Sequence, residues 1–479
     1  MKDLTKGNPF KLILFFAFPV FVGCVFQQLY NVADTIIVGN TVGAAAFTGV
    51  GLTGAVNFLV LGFVNGLTAG FSVKVAQAFG ANDEEKMRRA VGMSYLLCIV
   101  VAAAATAIAA PLTAPLLRLM QTPAAYYDYA YWYLLVIFCG IGATVFYNIV
   151  AGLLRAVGDS RTPLVFLVLA AILNVGLDFA FIVGFRWHYC GAAIATVLSQ
   201  LISGAACLVY ALCRYPALRP KRSDFRWDTR LAMGHFAVGL PMALQFSITA
   251  IGCIVQQTAL NGLDASYPGA VTAYTAASKI DNIANQAFAA LGTAFATYAA
   301  QNYGAGEYGR IRRGVFVGMV YVLASAAIGF AFAVGLCEPL MKLFLNTDLS
   351  ADVADNYDAI IGYGRQYLLW QCAFYPFLGA IFVFRNTLQG IGKSAVTTFA
   401  GVTELAGRIL ASLVFVRIWG FAGICSSNPV AWVAAVMFLV TTYIVVMRRQ
   451  KKGEIPDGRT RSHRRRLRRS CRIAVRKAS

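Results

Sequence analysis

Runs of predominantly apolar residues recur along nearly the whole chain, separated by short polar connections. About 20 such residues, coiled as a helix, span the hydrocarbon core of a bilayer, and inside lipid only helices and closed barrels satisfy their own backbone groups. The runs are continuous in Leu, Val, Ile, Ala and Phe. They lack the alternation over about ten residues that a membrane barrel needs, so a barrel is excluded. With 59% hydrophobic and 13% charged residues, the composition lies far from that of a soluble domain. The expected fold is an all-α membrane protein with twelve transmembrane helices, at 12–38, 47–72, 91–117, 128–152, 163–185, 190–213, 234–260, 270–298, 314–336, 361–388, 395–417 and 421–447.

The first span follows Met1-Lys-Asp-Leu-Thr-Lys without a small-residue cleavage site, so it is expected as a retained helix rather than a signal peptide. Cysteines such as Cys24, Cys98, Cys139, Cys207 and Cys253 lie inside apolar runs, with no CxxC pair and no His ladder. They are read as small hydrophobes, and no metal site is expected. Lys and Arg in short connections set orientation, because positive charge resists translocation. Placing the N-terminus in the cytoplasm puts Lys2, Lys6, Lys11, Lys74, Lys86, Arg88, Arg89, Arg155, Arg161, Arg214, Arg219, Lys221, Arg222, Arg226, Arg230, Arg310, Arg312, Arg313, Arg385 and Lys393 inside. Arg118, Arg186, Lys342 and Arg417 alone fall outside. Both termini are therefore expected in the cytoplasm, and the protein in the inner membrane.

The chain repeats itself. Gln77-Ala-Phe-Gly-Ala-Asn-Asp-Glu-Glu recurs as Gln301-Asn-Tyr-Gly-Ala-Gly-Glu-Tyr-Gly, Pro19 has its counterpart in Pro241, and Leu154-Arg-Ala-Val-Gly-Asp-Ser recurs as Leu388-Gln-Gly-Ile-Gly-Lys-Ser. Residues 1–213 and 234–447 thus form two six-helix lobes, joined by a basic linker at 214–233. An even number of spans per repeat orients both lobes alike, so their pseudo-twofold axis should run along the membrane normal, as in transporters that rock about a site between their halves.

Ionisable groups inside spans are costly and mark function by default. The acids are Asp34, Asp178, Asp281 and Glu404, and the bases are Lys279 and Arg408, with Arg365 near a boundary. Asp34 lies late in span one. Asn174 and Asp178 in span five are four residues apart, hence on one helical face, as are Ala192 and Thr196 in span six. Two carboxylates, an amide oxygen and a hydroxyl at one depth suit either a small cation or a shared proton. Glu404 and Arg408 have the spacing of a self-satisfied ion pair. Lys279 and Asp281 do not face each other, and spacing names no partner for either.

These features together resemble the multidrug and toxic compound extrusion family. The resemblance is carried by the Pro19-to-Asp34 spacing, the Asn31-Val-Ala-Asp-Thr stretch, the Gly-Ala-Asn-Asp and Gly-Ala-Gly-Glu loops and the Asn174-x-x-x-Asp178 pair, over roughly residues 5–447. It implies an antiporter that expels amphipathic, often cationic compounds in exchange for H+ or Na+. It also implies an ion-coupling site of Asp34, Asn174, Asp178 and Thr196, and a first helix that bends at Pro19. Span seven offers Gln256 opposite Asp34, and span ten has no acid, which places coupling in the first lobe. The branch resembled is that of DNA-damage-inducible protein F and staphylococcal-type exporters. Gln27, Gln28, Asn31, Gln256 and Gln257 are candidates for a central substrate cavity, with interhelical hydrogen bonding as the alternative role.

A lipid-linked saccharide flippase of the same superfamily is the alternative, and would need a markedly basic cavity. No nucleotide-binding loop, catalytic constellation or channel filter is present in the sequence, so no enzyme, no cofactor and no direct use of ATP is expected. The last 32 residues, 448–479, hold fourteen Lys or Arg. Such a tail is expected to be disordered and drawn to anionic lipid rather than to nucleic acid. The expected partners are small-molecule drugs or metabolites, H+ or Na+ and lipid, with the protein a monomer.

Overall fold

The computed structural model describes residues 3–42, 44–120, 122–263, 266–344 and 356–451. The basic tail beyond Lys451, read above as lipid-seeking, lies outside the described residues. Each predicted span is helical, because in an apolar run the chain has no solvent for its amides and bonds them to itself. Span one is α1 (Pro9–Val42), and span two is a short α2 (Ala44–Leu52) followed by α3 (Gly54–Gly80). Then come α4 (Glu84–Leu119), the pair α5 (Ala124–Cys139) and α6 (Ile141–Ala156), α7 (Arg161–Asp178) and α8 (His188–Arg214). The second half runs α9 (Thr229–Asn261), α10 (Ala270–Gly304), α11 (Tyr308–Phe344), α12 (Tyr357–Gly390), α13 (Ser394–Leu410), α14 (Val416–Trp419) and α15 (Phe421–Lys451).

Ten of these stretches are long and apolar enough to cross a membrane, and α5–α6, bent by 48°, supplies an eleventh. The twelfth is α10, whose Lys279, Asp281, Asn282, Asn285 and Gln286 dilute its apolar character. It tolerates them by packing along α12, α1 and α3. Among the described residues, two spans carry π-helical turns, Phe179–Gly184 after α7 and Ala411–Phe415 between α13 and α14, which apolar periodicity does not announce. The starts of α4 and α9 carry side-chain caps. Asp83 accepts from the Lys86 amide and Asp228 from those of Arg230 and Leu231, each satisfying N–H groups that a first turn leaves open.

The repeat is visible in the backbone. Left-handed residues stand at matched places, Asn82 (φ 53°) with Gly306 (φ 75°) and Gly158 (φ 85°) with Gly392 (φ 82°). Two apolar cores form. One gathers Phe71, Leu97, Phe138 and Leu154, the other Phe288, Phe295, Tyr367 and Trp432. Between helices in lipid there is no water to expel, so close packing and interhelical hydrogen bonds hold these cores together. The two halves exchange helix starts: Ile13, Phe16 and Ala17 of α1 belong to the second core, while Val238, Met242 and Ala243 of α9 belong to the first. These starts lie at the face where α1 begins and α15 ends, called the terminal face below. The linker after α8 is docked rather than loose, with Leu218 buried and Asp224 3.7 Å from Arg88. Arg385, counted above among the charges of the inside connections, is instead buried on α12 and bonded to Glu404, so it does not belong in the loop-charge bias.

Candidate functional site

The α-helical periodicity of α7 sets Asn174 and Asp178 on one face, and both are buried, at 1% and 0% exposure. Asn174 donates through Nδ2 to the Thr196 hydroxyl at 3.3 Å, across to α8. Thr196 in turn donates to the Ala192 carbonyl at 3.1 Å. The Asn174 amide oxygen has no hydrogen-bond partner among the described residues. Asp178 stands at the passage from α7 into its π-helical turn, where the backbone widens. The first helix, which runs unbroken through Pro19, lies beside both α7 and α8. Asp34 is in the last third of α1, and the side chains of Asp34 and Asn31 lie outside the described residues. Oxygen donors buried in this pattern can hold a hard cation, or a carboxylate can hold a proton.

Next to this cluster is a cavity of about 510 Å³. Gln27 and Tyr30 of α1, Asn57 and Asn65 of α3, Tyr147 and Asn148 of α6, and Gln200 of α8 face it, and Phe58 meets Phe246 edge-on at its rim. Among the described residues, its lining contains no Lys, Arg, Asp or Glu. Several lining groups steady one another, with Thr144 donating to Gln200 at 2.7 Å and Asn148 bonded to Asn65. Thr196 belongs to both places: its hydroxyl accepts from Asn174 and it lines the cavity.

Of the candidate cavity residues, Gln27 is in the lining and Gln28 is half-buried outside it. Gln256 is turned into the second lobe, 1% exposed and donating to the Ile424 carbonyl at 3.4 Å, and Gln257 donates to Asn261 at 2.9 Å. The Gln256 bond packs α9 on α15, and the Gln257 bond stays within α9. The sequence reading missed Asn57, Asn65, Asn148 and Gln200, although the signal was available, since each is an amide within an apolar run.

The second lobe is built differently at the matching place. In the register that pairs Leu154 with Leu388, Arg408 corresponds to Asn174 and Ser412 to Asp178. Arg408 donates to Glu404 at 3.0 Å, Arg385 donates to the other carboxylate oxygen at 2.7 Å, and Arg408 also reaches the Thr249 carbonyl at 3.3 Å. The expected Glu404–Arg408 pair is thus a triad. Asp281, which had no partner by spacing, accepts from Tyr375 at 2.8 Å and from Asn285 at 3.1 Å.

The profile of the MatE family matches residues 19–180 and 241–414, most of both halves. This chain belongs to the MatE family. Among curated MatE relatives, the probable multidrug resistance protein YpnP of Bacillus subtilis is 29% identical over 81% of this chain and 84% of its own length. The FAD transporter of Shewanella oneidensis is 24% identical over 81% of this chain and 84% of its own. Multidrug export protein MepA of Staphylococcus saprophyticus is 20% identical over 96% of this chain and 100% of its own. Among solved structures, the outward-facing conformation of a multidrug resistance MATE family transporter of the MOP superfamily superposes with a TM-score of 0.84 at 22% identity, covering 93% of this chain and 97% of that one. These neighbours have the MatE fold, two six-helix lobes about a pseudo-twofold axis. The family places this chain among multi-pass membrane transporters and not among enzymes.

Proposed function

We propose that this protein is a secondary active antiporter that exports amphipathic, cationic organic compounds in exchange for H+ or Na+, with the ion held by Asp34, Asn174, Asp178 and Thr196. One observation carries the reading: Thr196 is at once a hydrogen-bond partner of Asn174 and a wall of the cavity. Occupation of the ion cluster by a cation or a proton would redraw the Thr196 bond and with it the cavity wall, so ion and cargo would compete through one side chain. Names such as multidrug resistance protein and multidrug export protein among the relatives support the cargo class. The described lining of amides, hydroxyls and aromatic rings suits varied amphipathic molecules, since those groups carry no formal charge. It argues against the lipid-linked saccharide flippase, which calls for basic walls.

In the same reading, the lobes comprise residues 1–213 and 234–447, joined by the linker at 214–233. Both termini are cytoplasmic, the protein works as a monomer in the inner membrane, and the tail from 448 rests on anionic lipid without binding nucleic acid. Pro19 supplies the bend of α1 when the ion binds. The test is efflux from reconstituted vesicles under separately imposed proton and sodium gradients, with cationic dyes and a flavin dinucleotide as cargo. Asp178→Asn and Asp34→Asn should each abolish gradient-driven efflux while dye binding persists, because the amide keeps the shape but cannot ionise. Gln256→Ala should change apparent affinity at most. Uphill efflux by Asp34→Asn, together with its loss in Gln256→Ala, would move the ion path to the second lobe.

A further inference from the structure

At the terminal face, the two halves are tied by a pair of hydrogen bonds that mirror each other. Gln77, at the end of α3, donates through Nε2 to the Gly390 carbonyl at the end of α12, 2.7 Å away. Gln301, at the end of α10, donates through Nε2 to the Ala156 carbonyl at the end of α6, 2.8 Å away. Gln77 and Gln301 open the repeated Gln-x-x-Gly segments, and Ala156 corresponds to Gly390 in the register of Leu154 with Leu388. Each half therefore lends one glutamine and one helix-end carbonyl, and each bond crosses from one half to the other.

The glycines of the same segments make the approach possible. A Cβ on Gly80 would stand 1.9 Å from the Gln301 carbonyl oxygen, and one on Gly304 would stand 2.0 Å from that of Gln77. Deeper along the seam, a Cβ on Gly70 would meet the Gly239 Cα at 2.3 Å, and one on Gly66 the Ala243 Cα at 2.6 Å. The seam is thus backbone against backbone. The start of the chain straps over one arm: the Leu4 amide donates to Gln301 Oε1 at 3.0 Å, and Arg310 donates to the Gly7 carbonyl at 3.0 Å.

We propose that Gln77 and Gln301 are the two arms of a symmetric latch that holds the terminal face shut, with Gly80 and Gly304 as the seats that let it close. The assignment rests on the transport reading, in which the lobes must part at this face once per cycle. A helix-end carbonyl whose last-turn bonds are missing accepts a side-chain donor readily, and such a bond is given up at modest cost. The two bonds that cross between the halves are amide to carbonyl, with no charged side chain in either, and Arg310, a cation beside them, is held by the strap.

The experiment measures the distance between nitroxides, introduced as unnatural amino acids at the exposed Glu85 and Arg312, in the full chain in lipid nanodiscs. Gln77→Met and Gln301→Met keep bulk but lose the donor. Each should raise the ratio of open to closed terminal face roughly fivefold, the equivalent of one hydrogen bond, and the double variant roughly 25-fold. Gly80→Ala and Gly304→Ala should remove the closed distance altogether. A double Gln variant that melts like wild type and keeps the wild-type distances overturns the latch. Shifted distances in the variants, with a wild-type protein that moves no dye or flavin, would leave the latch standing and sink the transport reading, whereas wild-type efflux with unmoved distances in the variants would do the reverse.

Discussion

Glu404→Gln should be among the most damaging single changes in the second lobe. The carboxylate takes one hydrogen bond from Arg385 at 2.7 Å and another from Arg408 at 3.0 Å, and all three residues are at least nine-tenths buried. Glutamine keeps the volume and one acceptor but leaves two buried guanidinium groups without a counter-charge. Breaking a buried pair in this way costs about 3–5 kcal/mol. For a folding unit of some 200 residues, each kcal/mol moves the melting midpoint by about 2–4 °C, so a fall of about 6–20 °C is expected. Arg408→Met should cost less, about 1.5–3 kcal/mol, because Glu404 keeps Arg385. The triple change Arg385→Met, Glu404→Leu and Arg408→Met should recover much of the loss, since an apolar replacement leaves no stranded charge. The assay is thermal melting in detergent, followed by a fluorogenic thiol probe in a background whose other cysteines are replaced by serine, so that it reports Cys372 and Cys425, both buried in the native state. If Glu404→Gln and wild type melt within about 1 °C of each other, the triad is not the electrostatic centre described here.

Asp159, in the turn before α7, accepts from Thr162 Oγ1 at 2.6 Å and from Tyr215 at 2.7 Å. Burial works to raise its pKa, but the bonds from Thr162, Tyr215 and Arg161 outweigh it and hold the carboxyl below its ordinary 3.8. A depressed folded-state value means a contribution complete above 3.8 and lost as pH falls below it, so wild type should lose melting temperature on acidification more steeply than Asp159→Asn. In the cavity, Asn148→Ala removes the partner of Asn65 and should weaken dye binding about fivefold, by roughly one hydrogen bond, read by fluorescence titration, while efflux at saturating dye persists.

The twelve spans were legible because lipid leaves a chain so few options: a long apolar run must be a helix, whatever its neighbours. The repeat was legible because duplicated turns need the same residues, and the left-handed Gly158 and Gly392 fall where the two copies align. What escaped the sequence reading depends on which way a polar side chain points. Gln27 and Gln256 look alike in sequence, yet one faces the cavity and the other bonds the Ile424 carbonyl, a choice made by helix rotation in the packed bundle. The partners of Glu404 and Asp281 were half visible. Arg408 sits one turn away on the same helix, but Arg385 and Tyr375 come from another helix and needed the tertiary structure. The π-helical turns after α7 and α13 carry no apolar signature, since they alter the turn and not the composition.

The duplication gives the asymmetry of the two lobes a physical sense. At matched positions the first lobe has Asp34, Asn174 and Asp178, and the second has Gln256, Arg408 and Ser412. Both lobes keep oxygen acceptors there, but the second brings its own cation on a tether, since Arg408 lies where Asn174 would be and is bonded to Glu404. A guanidinium cannot deprotonate in a protein and cannot diffuse away, so that position is permanently filled. A transporter whose lobes both released their ion would need both events to agree before the halves could part. In the proposed antiport, one lobe is fixed in charge, so a single ion-binding event at Asp34, Asn174 and Asp178 in the other would decide the state.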